Sequence, residues 1–138
     1  MDAVDIISEI RELNLPDDRG RVSTGKGEYV VVGGAVKALH GLRQTDDIDI
    51  VVSSHLYHQL KAAGWTSITF PDGNAGLACD RVEIMLNWGG ELEQLLPSAE
   101  ETEGIPIVGL EKVLEWKLVA NRAKDQADIL KLKAYLGR

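Results

Sequence analysis

Tyr29-Val30-Val31-Val32-Gly33-Gly34-Ala35 and, a few residues on, Thr45-Asp46-Asp47-Ile48-Asp49-Ile50-Val51-Val52 are the segments whose reading decides the fold. The run Tyr29 to Val32 is uncharged and rich in β-branched residues, the pattern of a central strand buried on both faces. It breaks at Gly33-Gly34. Ala35 to Leu39 then predicts a short helix, stopped by Gly41. Ile48 to Val52 reads as a second buried strand. Residues two apart on a strand share a face, so Asp47 and Asp49 point one way while Ile48, Ile50 and Val52 point into the core.

Working outward, Val4, Ile6, Ile7, Ile10 and Leu13 recur at helical spacing and predict an opening amphipathic helix, ended by Pro16. Asp17 to Gly27 is polar and Gly-rich and reads as a loop. Downstream, His55 to Ala63 predicts a helix and Thr66 to Phe70 a weak strand, followed by a turn at Pro71-Asp72-Gly73-Asn74. Strands are expected over Val82 to Asn87 and Ile105 to Val108, and a short helical piece over Glu91 to Leu96. Helices from Leu110 to Asn121 and from Asp125 to Leu136 close the chain. The expected architecture is α/β (α+β), a sheet covered by helices, as one domain over 1–138 with a C-terminal helical pair at about 110–137.

The chain has 138 residues, 44% hydrophobic and 27% charged, with a net charge of −7. That composition describes a folded domain and disfavours a generally basic nucleic-acid surface. The single cysteine, Cys79, allows no intramolecular disulfide, which suits a reducing cytoplasm. The first residues lack the basic and apolar regions of a signal peptide. The longest apolar run, around Val30 to Val36, is too short to cross a membrane. A cytoplasmic location without membrane contact is therefore expected.

Two carboxylates on one face of an otherwise apolar strand repel each other and lose hydration. A divalent cation with oxygen ligands offsets both costs, and Mg²⁺ commonly takes one or two carboxylates together with phosphate oxygens. The Gly33-Gly34 pair allows close backbone approach, and the helix after it offers free N–H groups to an anion. Alone, Gly-Gly after a strand is a tight turn and Asp-x-Asp a solvated strand end. Within one strand–helix–strand unit they form a phosphate cradle beside a metal-binding pair, the apparatus of phosphoryl or nucleotidyl transfer.

These residues, Gly33-Gly34, a short helix, then Thr45-x-Asp47-Ile48-Asp49-Ile50, resemble the DNA polymerase β-type nucleotidyltransferase superfamily. The similarity is greatest to its small stand-alone bacterial branch, which includes toxin–antitoxin and abortive-infection proteins. Leu110 to Ala120, Arg122-Ala123-Lys124-Asp125 and Asp128-Ile129 resemble the same branch. The resemblance implies a nucleotidyltransferase-like mixed sheet. It also implies Asp47 and Asp49 as ligands of Mg²⁺ (or Mn²⁺) ions that hold a nucleoside triphosphate. Glu83 would complete the metal site and activate an acceptor hydroxyl, with Asp80 in reserve. Gly33, Gly34, Ala35 and Lys117 would bind nucleotide or phosphate. Many members carry aspartate where Glu83 stands, and serine where Ala35 stands. Acceptors in the superfamily include RNA, proteins and small molecules. The chain's small size makes a homodimer or a cognate protein an expected partner. A weakly active or non-catalytic member of the same fold in a toxin–antitoxin pair and a nucleotide- or metal-binding module are the rival readings.

The segment Gly20 to Gly27 nearly spells a P-loop but lacks the hydroxyl after Lys26 and sits between a helix and a strand, so it is rejected as one. Lys117 lies on the apolar stripe of its helix, either reaching past the core to water or aimed at the site. Asp125 with Asp128 has helix-capping spacing and is read first as a cap. Arg43, Arg122 and Lys124 could pair with surface acids, with a helix end or with phosphate. His55 and His58 lack further ligands, so no zinc site is expected. Trp65, Trp88 and Trp116 read as core or interface residues, with stacking of Trp88 on a base as the lesser alternative.

Overall fold

The computed structural model describes residues 1–13, 27–42 and 44–137. The near-P-loop over 20–26, the expected stop at Pro16 and Arg43 lie outside the described residues. The elements run α1 (Ala3–Glu12), β1 (Tyr29–Val32), α2 (Gly34–Leu39), β2 (Ile48–Val52), α3 (Ser54–Ala62), β3 (Thr66–Thr69), β4 (Ala75–Cys79) and β5 (Val82–Met85). They continue with α4 (Leu92–Leu95), which passes into a short 3₁₀ turn, β6 (Glu100–Thr102), β7 (Ile105–Ile107), α5 (Leu110–Ala120) and α6 (Gln126–Tyr135). The expected α+β architecture is observed.

The strands form one mixed seven-stranded sheet in the order β3-β4-β5-β2-β1-β7-β6. β1 is antiparallel to β2, whereas β2 runs parallel to β5 and β1 parallel to β7. β1, β2 and β5 hold the centre. Every residue of these three strands is buried except Asp49 and Glu83. Such strands read as unbroken apolar runs because both of their faces are covered.

Two strands exceed the sequence expectation. β4 is built from the small residues Ala75-Gly76-Leu77-Ala78-Cys79, and the edge strand β6 is Glu100-Glu101-Thr102. Neither has the alternating apolar pattern that marks a strand in sequence. β4 forms because β3 and β5 pair with it on both sides. Gly76 is required there: a Cβ would lie 2.2 Å from Cε2 of Phe70 and 2.8 Å from the Ile84 carbonyl oxygen. β5 ends at Met85 rather than at Asn87, because Trp88 N–H bonds to the Gly90 carbonyl and turns the chain.

The helix ends follow local chemistry. Asp2 and Asp5 form a reciprocal capping box at α1, and Ser53 caps α3 by accepting the Leu56 N–H at 3.0 Å. Asp125 is a correction. It stands at the start of α6 but caps nothing, and its carboxylate instead accepts from Lys117 and Arg122. Among the described residues, no helix is long and apolar enough to cross a membrane.

Candidate active site

Asp49 is the second residue of β2 and Glu83 the second of β5. The two strands are parallel neighbours, and Asp49 stands opposite Glu83, flanked by Ile48 opposite Val82 and Ile50 opposite Ile84. On its other side Asp49 pairs with Val32, the last residue of β1, so Gly33 begins beside it. Register therefore brings together on one sheet face an acid from each parallel strand and the glycine pair. Asp47 precedes β2 on an exposed segment. Asp80 sits in the turn from β4 to β5 and does not line the cleft described below.

Gly33 has φ +68° and ψ −144°, a region almost closed to residues with a side chain. A Cβ there would stand 3.0 Å from Asp49 Oδ2, and one on Gly34 would stand 3.1 Å from Thr45 Oγ1. The glycines thus let the backbone close onto the acid and onto Thr45. Thr45 is buried, and its hydroxyl donates to the Asp47 carbonyl at 3.1 Å, which fixes the approach to β2. α2 has only six residues, so its macrodipole is small. What it offers an anion is the N–H groups of its first turn. Ala35 is fully buried and does not line the cleft, so only its backbone can serve a ligand.

The Asp49 carboxyl is pushed up to about 7. Burial is the first cause, followed by the charges of Glu83 and Asp47 and a hydrogen bond shared with Glu83. Among the described residues, none of the ion pairs involves Asp47, Asp49 or Glu83. Nor are any three His, Cys, Asp or Glu side chains there gathered closely enough to hold an ion. The donor set nevertheless suits a hard cation: carboxyl oxygens, one of them destabilised as an anion by burial and by its acidic neighbours.

Three cations of this region are engaged with other acids. Lys37, on α2, is 3% exposed and bonds Asp128 at 2.7 Å. Lys117, on α5, is 7% exposed and lies 2.9 Å from Asp125 and 3.5 Å from Asp128. Arg122 grips Asp125 through two nitrogens, at 2.6 and 3.0 Å. Burial alone would raise the Asp125 carboxyl, but the hydrogen bonds from Arg122 and Lys117 outweigh it and hold the group down at about 2. Lys117 thus belongs to a buried ion network that ties α5 to the start of α6, and Asp128 carries that network on to α2.

These groups line one cleft of about 920 Å³, which takes in Gly33, Gly34, Asp47, Asp49, Glu83 and Lys117. Lys37, Thr45 and Asp128 line it as well, and sequence reasoning did not assign them. A signal for Lys37 existed, since it falls three and four residues after the glycines and so shares their helix face. No protein-family profile, curated protein or solved structure matches the chain.

Proposed function

We propose that this chain is a minimal nucleotidyltransferase that moves a nucleoside monophosphate from a nucleoside triphosphate to an acceptor hydroxyl. The observation that carries the reading is the Asp49–Glu83 pair, two unneutralised acids facing each other on otherwise buried parallel strands beside a glycine turn. A pair maintained for stability alone would have a cation against it. Among the described residues no ion pair involves either acid, and the pair lines a cleft large enough for a nucleotide.

Asp47, Asp49 and Glu83 would hold Mg²⁺ or Mn²⁺, which supplies charge neutralisation at the triphosphate oxygens. The Gly33-Gly34 backbone, free of Cβ atoms, lets phosphate approach the acids. Glu83 accepts the proton of the acceptor hydroxyl while that oxygen bonds to the α-phosphorus. The bond from the α-phosphorus to its bridging oxygen breaks, and pyrophosphate leaves. The buried Lys37–Asp128–Lys117–Asp125 network fixes α2, and with it the glycine turn, against α5 and α6.

The test is transfer of label from α-³²P nucleoside triphosphates, with Mg²⁺, onto cell extract separated into RNA, protein and small molecules. The expected result is label in one fraction with the native chain and background with Asp49→Asn. Equal labelling by both would refute the assignment.

A further inference from the structure

We propose that Trp88 and Trp116 form a nucleobase-stacking wall, so that the triphosphate lies at Asp49 and Glu83 while the base lies against Trp88. This inference rests on the reading of the cleft as a nucleoside triphosphate site.

The cleft lining combines two chemistries. The carboxylates and the glycine turn line it, and so do Phe70, Trp116 and the Met85, Leu86 and Trp88 side chains that follow Glu83 in sequence. A ligand that fits both carries multiple charges on one part and a flat, weakly polar group on another. A nucleoside triphosphate has that form.

The aromatic lining is a built surface. The rings of Trp88 and Trp116 are stacked, with centroids 5.3 Å apart and planes 10° from parallel. The Arg122 guanidinium lies 4.7 Å from the Trp116 ring centroid while both of its bonding nitrogens engage Asp125. Lys117 holds Asp125 in turn, so the ion network braces the wall. Gly89 has φ +64°, and a Cβ there would stand 3.0 Å from Trp116 Cδ1. Glycine at that position lets the segment carrying Trp88 close onto Trp116.

Trp116 already carries both a ring and a cation. Among the described residues, Trp88 has only Trp116 stacked on it. Trp88 is half-buried and lines the cleft, so it can receive a second planar group. Trp88 stands five positions after Glu83, at most roughly 18 Å of extended chain, a span that a nucleotide covers from phosphates to base.

Calorimetric titration with Mg²⁺ present decides the matter, using ATP, GTP, CTP and UTP as probes and inorganic tripolyphosphate as the base-free control. In the native chain at least one nucleotide should bind roughly tenfold or more tightly than tripolyphosphate, the margin a stacked base supplies. Trp88→Leu should erase that margin without changing the affinity for tripolyphosphate, and Trp88→Phe should restore most of it. As a readout that needs no variant, the preferred nucleotide should quench native tryptophan emission and tripolyphosphate should not. If no nucleotide outbinds tripolyphosphate, or if the margin survives Trp88→Leu, the stacking wall is overturned while the phosphate site stands. If neither tripolyphosphate nor any nucleotide binds with Mg²⁺, the nucleotidyltransferase reading falls and takes this inference with it.

Discussion

Asp49 on β2 and Glu83 on β5 face each other in parallel register, and burial together with the charges of Glu83 and Asp47 pushes the Asp49 carboxyl up to about 7. Burial disfavours the Asp49 anion, and the Glu83 and Asp47 charges disfavour it further. The fold therefore carries an electrostatic cost at this pair that no described ion pair relieves.

The folded chain holds the Asp49 proton to about 7, while the unfolded chain releases it near the ordinary value of 3.8. Between those values the folded state binds more protons, so the Asp49 contribution to stability is lost as pH rises through that window. Each pKa unit corresponds to ~1.4 kcal/mol, which sets a ceiling of ~4 kcal/mol that solvent at this half-buried residue reduces. Denaturant titrations of metal-free protein from pH 4 to 8 should show Asp49→Asn losing less stability than the native chain across the window. Parallel curves would show that the pair carries no such cost.

Asp125 has the opposite sign. Its folded value, about 2, lies below the unfolded one, so its contribution is present above about pH 4 and lost as pH falls toward 2. At neutral pH, Asp125→Ala leaves the buried Lys117 ammonium with the more distant Asp128, at 3.5 Å, and should destabilise the chain by ~2 kcal/mol or more. Urea unfolding at pH 7 checks this, and a loss under ~1 kcal/mol would mean the network contributes little.

Gly33→Ala should destabilise by ~1–3 kcal/mol through backbone strain alone. It should also displace Asp49, whose Oδ2 would lie 3.0 Å from the new methyl. Adding Asp49→Ala should recover the part due to the clash but not the part due to strain. A double-mutant cycle by chemical denaturation separates the two. Fully additive losses would show that Gly33 and Asp49 do not press on each other.

The central strands and the acid pair were legible because strands buried on both faces leave unbroken apolar runs, within which Asp49 and Glu83 are conspicuous. β4 and β6 were not, since small residues and an edge of glutamates form strands only through their neighbours. Asp125 was read as a helix cap because local spacing allowed it, while its partner Lys117 lies on the preceding helix. Lys37 stands just after the apolar run that ends at Val36. Its partner Asp128 is 91 residues away, a separation that no local pattern reveals.

The double variant Asp47→Asn/Asp49→Asn keeps shape and removes the charge. Its unfolding free energy should be measured beside the native chain, metal-free and again with Mg²⁺ and a nucleoside triphosphate at a hundred times the native dissociation constant. Metal-free, the variant should equal or exceed the native chain in stability. The ligands should add ~2.7 kcal/mol to the native chain and nothing to the variant. A large metal-free loss in the variant, with its stabilisation by Mg²⁺ and nucleotide unchanged, would show that Asp47 and Asp49 are scaffold and that the active site lies elsewhere.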